Sequence, residues 1–316
     1  IFMNKAFNFP GQGSQTIGMA KDFYNNFIEA KEVFEEVDNV LNKNLTKIMF
    51  EGPEDLLTST ENSQPAIMTA SIAILKVIEK NTNLNIEKLC DLTAGHSLGE
   101  YTALCASEAL TLENTAKLLK IRGEAFAEAG KKSSGTMLAL VGATIEQAEE
   151  IVNRAKIDDE ILQIANDNTV GQVVLSGNVN SIDKAIEIAN ELKIKRALKL
   201  NVSGAFHSQL MLPAVDRMKE ILDNIEINNP KTKVIANFTA DFEENPLEIK
   251  ENLTKQITGR VKWRETMLKV VESGIDTFVE IGNGKVLSGM VPRTCPDAKV
   301  ITVNSLESLE EFLKNL

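Results

Sequence analysis

The chain has 316 residues, 43% of them hydrophobic, and a formal net charge of -11 from 34 Lys and Arg against 45 Asp and Glu. That length accommodates two compact units, or one large unit with an insertion, and supplies ample apolar material for a core. The acidic balance argues against nucleic acid and anionic membrane as partners, because both require a basic surface, and no apolar run reaches the roughly 18 residues of a membrane span.

Ile1 and Phe2 precede Met3 and are read as a remnant of expression. No charged region followed by an apolar leader is recognised at the start, so a cytoplasmic location is expected. Cys90, Cys105 and Cys295 lack paired spacing and are expected to be buried, reduced thiols rather than a disulfide framework or a zinc site.

Apolar stretches of strand length alternate with amphipathic helical patterns, which predicts an α/β fold with a parallel sheet covered on both faces by helices. In chain order the pattern predicts a strand at 5–9, helices at 19–42 and 65–80, a strand at 90–94, and helices at 98–108 and 112–129. The segment Gly130-Lys131-Lys132-Ser133-Ser134-Gly135 reads as a linker. From 136 to 200 the order is strand, helix, strand, strand, helix, strand, a ferredoxin-like βαββαβ unit. Helices at 213–224, 263–273 and 306–315 and strands at 232–238, 276–281 and 299–303 complete the larger part. The expected division is therefore a hydrolase-like catalytic domain from 1–132 and 201–316, with 133–200 as an inserted small subdomain and a substrate cleft between them.

The segment Gly95-His96-Ser97-Leu98-Gly99 lies between a short apolar strand and a helix. This is how a serine nucleophile is mounted on a strained strand-to-helix turn, where side chains at the flanking glycines strike neighbouring backbone. A serine nucleophile usually needs a general base, and the chain has two histidines, His96 and His207. His96 adjoins Ser97 on the turn, where neighbouring side chains diverge, which leaves His207 in Gly204-Ala205-Phe206-His207-Ser208 as the candidate. A hydrogen-bonded structural histidine is the alternative reading of that residue.

Arg122 falls on the apolar stripe of its helix, three residues after Leu119 and four before Phe126. A guanidinium there snorkels to solvent, pairs with a buried acid, or clamps a substrate carboxylate through its planar fork. Other candidates for an anionic substrate are Lys117 and Lys120 on the same helix, and Lys193, Lys195, Arg196 and Lys199, whose blander reading is a solvated face. Phe9-Pro10-Gly11-Gln12-Gly13-Ser14-Gln15 follows a strand but lacks the third glycine of a dinucleotide loop, since Thr16 stands there. Its exposed backbone N–H groups suit an oxyanion hole, with Gln12 and Leu98 as donors.

Together these motifs resemble the malonyl-CoA:acyl carrier protein transacylase family and the related acyltransferase domains of fatty acid and polyketide synthases. The resemblance runs end to end through Phe9–Gln15, Gln64-Pro65-Ala66, Gly95–Tyr101, Arg122, Asn168 with Gly171–Val174, Gly204–Ser208 and Glu280–Leu287. It departs mildly at Val170, Arg260 and Asn283, where proline is frequent.

The resemblance implies that Ser97 attacks malonyl-CoA while His207 takes its proton, and that Gln12 and Leu98 N–H groups hold the oxyanion. It implies that Arg122 pairs with the malonyl carboxylate and that the backbone carbonyl of Lys262 orients the histidine. Gln64, Asn168 and Phe206 are implied at the acyl site. The expected reaction is ping-pong transfer to the phosphopantetheine thiol of holo-acyl carrier protein for fatty acid elongation, by a monomeric chain with no metal or redox cofactor. A serine esterase or thioesterase, a polyketide-pathway acyltransferase and a non-catalytic docking module are the alternatives.

Overall fold

The computed structural model describes residues 4–316; Ile1 and Phe2, set aside above, lie outside the described residues. Among the described residues ten strands follow one another: β1 (Lys5–Phe9), β2 (Leu92–Gly95), β3 (Gly135–Val141), β4 (Leu162–Thr169), β5 (Gln172–Asn178), β6 (Arg196–Lys199), β7 (Lys233–Ile235), β8 (Phe242–Glu243), β9 (Thr277–Ile281) and β10 (Lys299–Val303). They form a six-stranded sheet in the order β10-β9-β1-β2-β7-β8 and a four-stranded sheet in the order β4-β5-β3-β6.

In the larger sheet every pairing is parallel except that of β7 with β8. Its central strands β2 and β9 are buried at every position, as expected where helices cover both faces of a parallel sheet. The helix Thr60–Thr82 packs inside this body, with 17 residues from Thr60 to Ile78 buried. The smaller sheet is antiparallel throughout, and its helices Ile145–Ala155 and Val179–Glu191 lay their apolar stripes on one core centred on Leu138, Leu175 and Ile182. The fold is thus α/β with an inserted small antiparallel unit. Asp167 of β4 ties the smaller sheet to the segment that leads into the helix Trp263–Glu272: its carboxylate receives Arg264 at 2.9 Å and its N–H donates to the Val261 carbonyl.

Several boundaries differ from the sequence reading. The helix expected over 19–42 is two, Lys21–Asn26 and Ile28–Leu41, because Phe27 is extended at φ -133° after Asn25 and Asn26, two weak helix formers. Gly130, Lys131 and Lys132 are not linker but the last turn of the helix Leu112–Lys132. The helix expected from 65 begins at Thr60 and keeps Pro65 inside it. Short helices at Leu45–Glu51, Glu54–Thr58 and Ile86–Leu89 offer too few turns for a period to show, and Val286–Thr294 is masked by its internal Gly289 and Pro292. Among the described residues no helix is long and apolar enough to cross a membrane. Cys90 and Cys295 are buried thiols, whereas Cys105 is half-buried.

The turn after β2 is crowded on both sides. A Cβ on Gly95 meets the Gly99 carbonyl oxygen at 1.8 Å, and one on Gly99 meets the Phe9 carbonyl oxygen at 2.3 Å. Gly289, exposed on its helix, has nothing within 4 Å of the corresponding position. Gly95→Ala is therefore expected to lower the unfolding free energy by about 3 kcal/mol or more, and Gly289→Ala to raise it by up to about 1 kcal/mol. Urea titration of the two variants beside the parent checks the pair; a Gly95→Ala midpoint equal to the parent's refutes the steric account.

Candidate active site

Ser97 sits between β2 and the helix Leu98–Ala106 at φ 56°, ψ -111°, a conformation that lifts its side chain out of the turn. Its Oγ lies 2.8 Å from His207 Nε2. His207 is itself held at φ 55° in the loop before Gln209–Met211, is 3% exposed, and meets the Gln256 carbonyl oxygen through Nδ1 at 2.8 Å. A hydrogen on Nδ1 donated to that carbonyl leaves Nε2 as an acceptor, so the Ser97 hydroxyl donates to it.

The carbonyl that fixes the imidazole belongs to Gln256 and not to Lys262. Lys262 caps the helix Trp263–Glu272, and its carbonyl accepts the Thr266 N–H at 2.9 Å and the Thr266 hydroxyl at 2.8 Å. Gln256 instead ends the helix Pro246–Gln256, where a carbonyl has no partner further along the helix and is free to face outward. That helix escaped the sequence reading, although Asn245 followed by Pro246 is a helix-start signal and Asn245 does accept the Glu248 N–H.

Arg122 reaches the same serine from behind. It is 1% exposed and neither snorkels nor pairs with a carboxylate: Nη1 donates to Gln64 Oε1 at 2.8 Å, and Nη2 to Gln256 Oε1 at 2.8 Å and to Ser97 Oγ at 3.2 Å. Its flat face lies over Phe126 at 4.3 Å. Burial pushes the Arg122 guanidinium down from its ordinary value, against the fields of Tyr101 and Glu100. Lys117, Lys120 and Lys199 by contrast pair at the surface with Glu113, Glu124 and Asp183.

Glu100, on the inner side of the elbow helix, is fully buried, and burial pushes its carboxyl up to about 8. Burial also holds His207 down, and the positive Arg122 adds to this, to about 3. His207 is thus a neutral base in the resting site.

A cavity of about 380 Å³ opens beside Ser97 and His207, with Gln12, Asn168, Phe206 and Phe126 on its wall. The Leu98 N–H stands at the first turn of its helix, where no intrahelical acceptor exists. The Ser97 N–H is already taken by Asn237 Oδ1 at 2.7 Å. His96 points away from the serine: its Nε2 meets Asn168 Oδ1 at 2.7 Å and its ring lies 5.6 Å from that of Trp263. Phe206 packs on Phe126 at 5.4 Å, and its carbonyl accepts the Ser176 hydroxyl. Gln64 is buried beside Arg122, and its Nε2 has no partner among the described residues. Sequence reasoning gave no role to Gln256, Asn237 or Glu100: the first two lie outside every motif, and Glu100, though it falls within Gly95–Tyr101, was read only as part of the elbow.

Comparison with known proteins places this geometry. A family model described as the acyl transferase domain matches residues 6–309. The malonyl CoA-acyl carrier protein transacylase of Bacillus subtilis (strain 168) is 41% identical over 311 residues, 98% of this chain and 96% of its own length. The crystal structure of acyl-carrier-protein-S-malonyltransferase from Bartonella henselae superposes with a TM-score of 0.94 at 45% identity, with 98% of each chain covered. A malonyl-transacylase solved in complex with its type II PKS acyl-carrier protein superposes with a TM-score of 0.94 at 33% identity, covering 99% of each chain. The chain belongs to the acyl transferase family, among the malonyl-CoA:acyl carrier protein transacylases, and is an acyltransferase.

Proposed function

We propose that this protein moves malonyl from malonyl-CoA to the phosphopantetheine thiol of holo-acyl carrier protein, supplying fatty acid elongation, through an ester on Ser97. The observation that carries the reading is one oxygen, Ser97 Oγ, within reach of both a neutral imidazole and a buried guanidinium that lacks a carboxylate. In the first half, Oγ attacks the thioester carbon, His207 Nε2 takes the hydroxyl proton, and the carbon–sulfur bond breaks as coenzyme A leaves with that proton. In the second half the carrier thiol gives its proton to His207, sulfur attacks the ester carbon, and Ser97 recovers the proton.

The Gln256 carbonyl keeps the imidazole in the tautomer that accepts at Nε2. The Gln12 and Leu98 N–H groups hold the oxyanion, a reading supported by the engagement of the Ser97 N–H elsewhere. Arg122 takes the malonyl carboxylate, Gln64 holds the guanidinium through Oε1 and offers its free Nε2, and Asn168 and Phe206 bound the acyl group. We read residues 133–200 as a subdomain inserted into the catalytic domain, and the chain as a cytoplasmic monomer.

Intact mass measured after brief mixing with malonyl-CoA, before any carrier protein is added, tests the first half. One malonyl adduct is expected on the parent and none on Ser97→Ala; no adduct on either, with the donor unconsumed, overturns the reading. Replacing Arg122 with Ala is expected to slow malonyl loading by about 10²- to 10³-fold, equivalent to roughly 3–4 kcal/mol and in the range for breaking a buried charge pair, with a much smaller loss for acetyl-CoA. Equal losses for both donors refute the clamp.

The sign of the His207 shift sets the pH dependence. With its value depressed to about 3, the imidazole of the unliganded enzyme stays neutral as pH falls from about 8 to about 5, so the loading rate at malonyl-CoA well below half-saturation, which reports the free enzyme, is expected to stay level over that span. Burying it neutral contributes stability present above the ordinary value of 6.5 and lost as pH falls from there towards about 3. A loading rate that halves near 6.5 in protein that is still folded contradicts the buried, neutral base.

A further inference from the structure

Asn237 follows β7, is 0% exposed and belongs to none of the motifs above. Strands β2 and β7 pair in parallel only as far as Ala94 and Ile235. Past that register β2 runs on into the elbow with no main chain of β7 opposite it. The Asn237 carboxamide stands in that place: Oδ1 accepts the Ser97 N–H at 2.7 Å, and Nδ2 donates to the Gly95 carbonyl at 2.7 Å. One planar amide thus grips the chain on both sides of His96, as a peptide unit of a neighbouring strand does.

The grip is itself anchored on three sides. The Asn237 N–H donates to Glu100 Oε1, its carbonyl accepts the Lys262 N–H at 3.1 Å, and its Oδ1 also accepts Gln256 Nε2 at 3.2 Å. Through Gln256 the same amide is one step from His207, which meets the Gln256 carbonyl, and from Arg122, which meets Gln256 Oε1. Gln256 Nε2 also donates to the Ser97 carbonyl at 3.0 Å. A non-glycine residue at φ 56°, ψ -111° persists only where its surroundings over-determine it.

We propose that Asn237 is a positioning residue for the nucleophile, its carboxamide continuing the β2–β7 ladder across the elbow and so holding Ser97 Oγ in line with His207. The role rests on the reading of Ser97 as acyl acceptor. It requires one donor and one acceptor at fixed separation, which alanine lacks altogether. Aspartic acid supplies both only while protonated, because its carboxylate faces the Gly95 carbonyl with two acceptors.

The test is single-turnover loading of Ser97 by malonyl-CoA, quenched and read by intact mass, on the full chain and on Asn237→Ala and Asn237→Asp, with folded protein counted by thermal melting. Asn237→Ala is expected to load about 10²-fold more slowly per folded molecule, with half-saturation by malonyl-CoA changed less than about threefold, since misplacing the nucleophile costs rate rather than affinity. Asn237→Asp is expected to be as slow at pH about 8 and to regain rate as pH falls towards about 5, where Asn237→Ala gains nothing.

In the parent, hydrogen exchange at the Ser97 amide is expected to be slow, and this decides the contact even if the variants do not fold. Loading of folded Asn237→Ala within about threefold of the parent, parallel pH profiles for the two variants, or a Ser97 amide exchanging like an open loop each overturns the role. A parent that takes no malonyl overturns the reading of Ser97 and this role together, whereas a loaded parent with an unimpaired Asn237→Ala overturns this role alone.

Discussion

The backbone at Ser97 occupies a conformation that residues with side chains avoid, and the structure around it answers that constraint. Holding a residue in such a region costs about 1–3 kcal/mol, which must be offset locally. The offsets are specific. Gly95 and Gly99 remove the two Cβ atoms that would collide with the turn and with β1, the Asn237 amide binds both flanks, and Gln256 Nε2 and the Glu100 N–H both reach the Ser97 carbonyl. The strain raises Oγ above the sheet at the end of β2, where His207 reaches it from the loop after β6 and Arg122 from the helix beneath.

Arg122 is the second costly group, a charge removed from water whose hydrogen bonds go to neutral oxygens of Gln64, Gln256 and Ser97. A buried cation satisfied only by neutral acceptors lacks the opposite charge that would offset its desolvation. Nearby Glu100 does not supply it in full, because burial favours its protonated form. An anion delivered by a ligand is the missing partner. In the proposed reading, the carboxylate of the malonyl group supplies that charge.

Much of this was legible in the sequence, and the rest was hidden for identifiable reasons. The elbow was visible because its steric demand falls on residue identity at fixed spacing, and His207 followed from scarcity, there being two histidines to choose from. Arg122 betrayed itself by breaking an apolar stripe. The ferredoxin-like unit was readable because its segments alternate between strand and helix patterns in a fixed order, whereas the break at Phe27 interrupts an otherwise continuous helical pattern with only Asn25 and Asn26 to signal it. Gln256 acts through a main-chain carbonyl, which any residue possesses, so its position depends on where a helix stops. Lys262 was expected in its place, six residues on, where the chain begins a helix instead and consumes the carbonyl in its first turn. Asn237 was invisible for a related reason: its value lies in where β7 ends relative to β2, a register that a lone sequence does not display.

The resting His207 presents a last physical problem, because a base held at about 3 accepts a serine proton weakly. Of the causes of that depression, burial is the largest and the Arg122 charge is next. Burial is a property of the fold, but the Arg122 field depends on what the guanidinium faces. In the proposed reaction a malonyl carboxylate on Arg122 cancels much of that field and places a negative charge near the imidazole, so both changes strengthen the base. An acetyl group, or water entering alone, leaves Arg122 unpaired beside Ser97 and the base weak. On this account the guanidinium selects malonyl twice, once by binding its carboxylate and again by releasing the histidine only when that carboxylate is present.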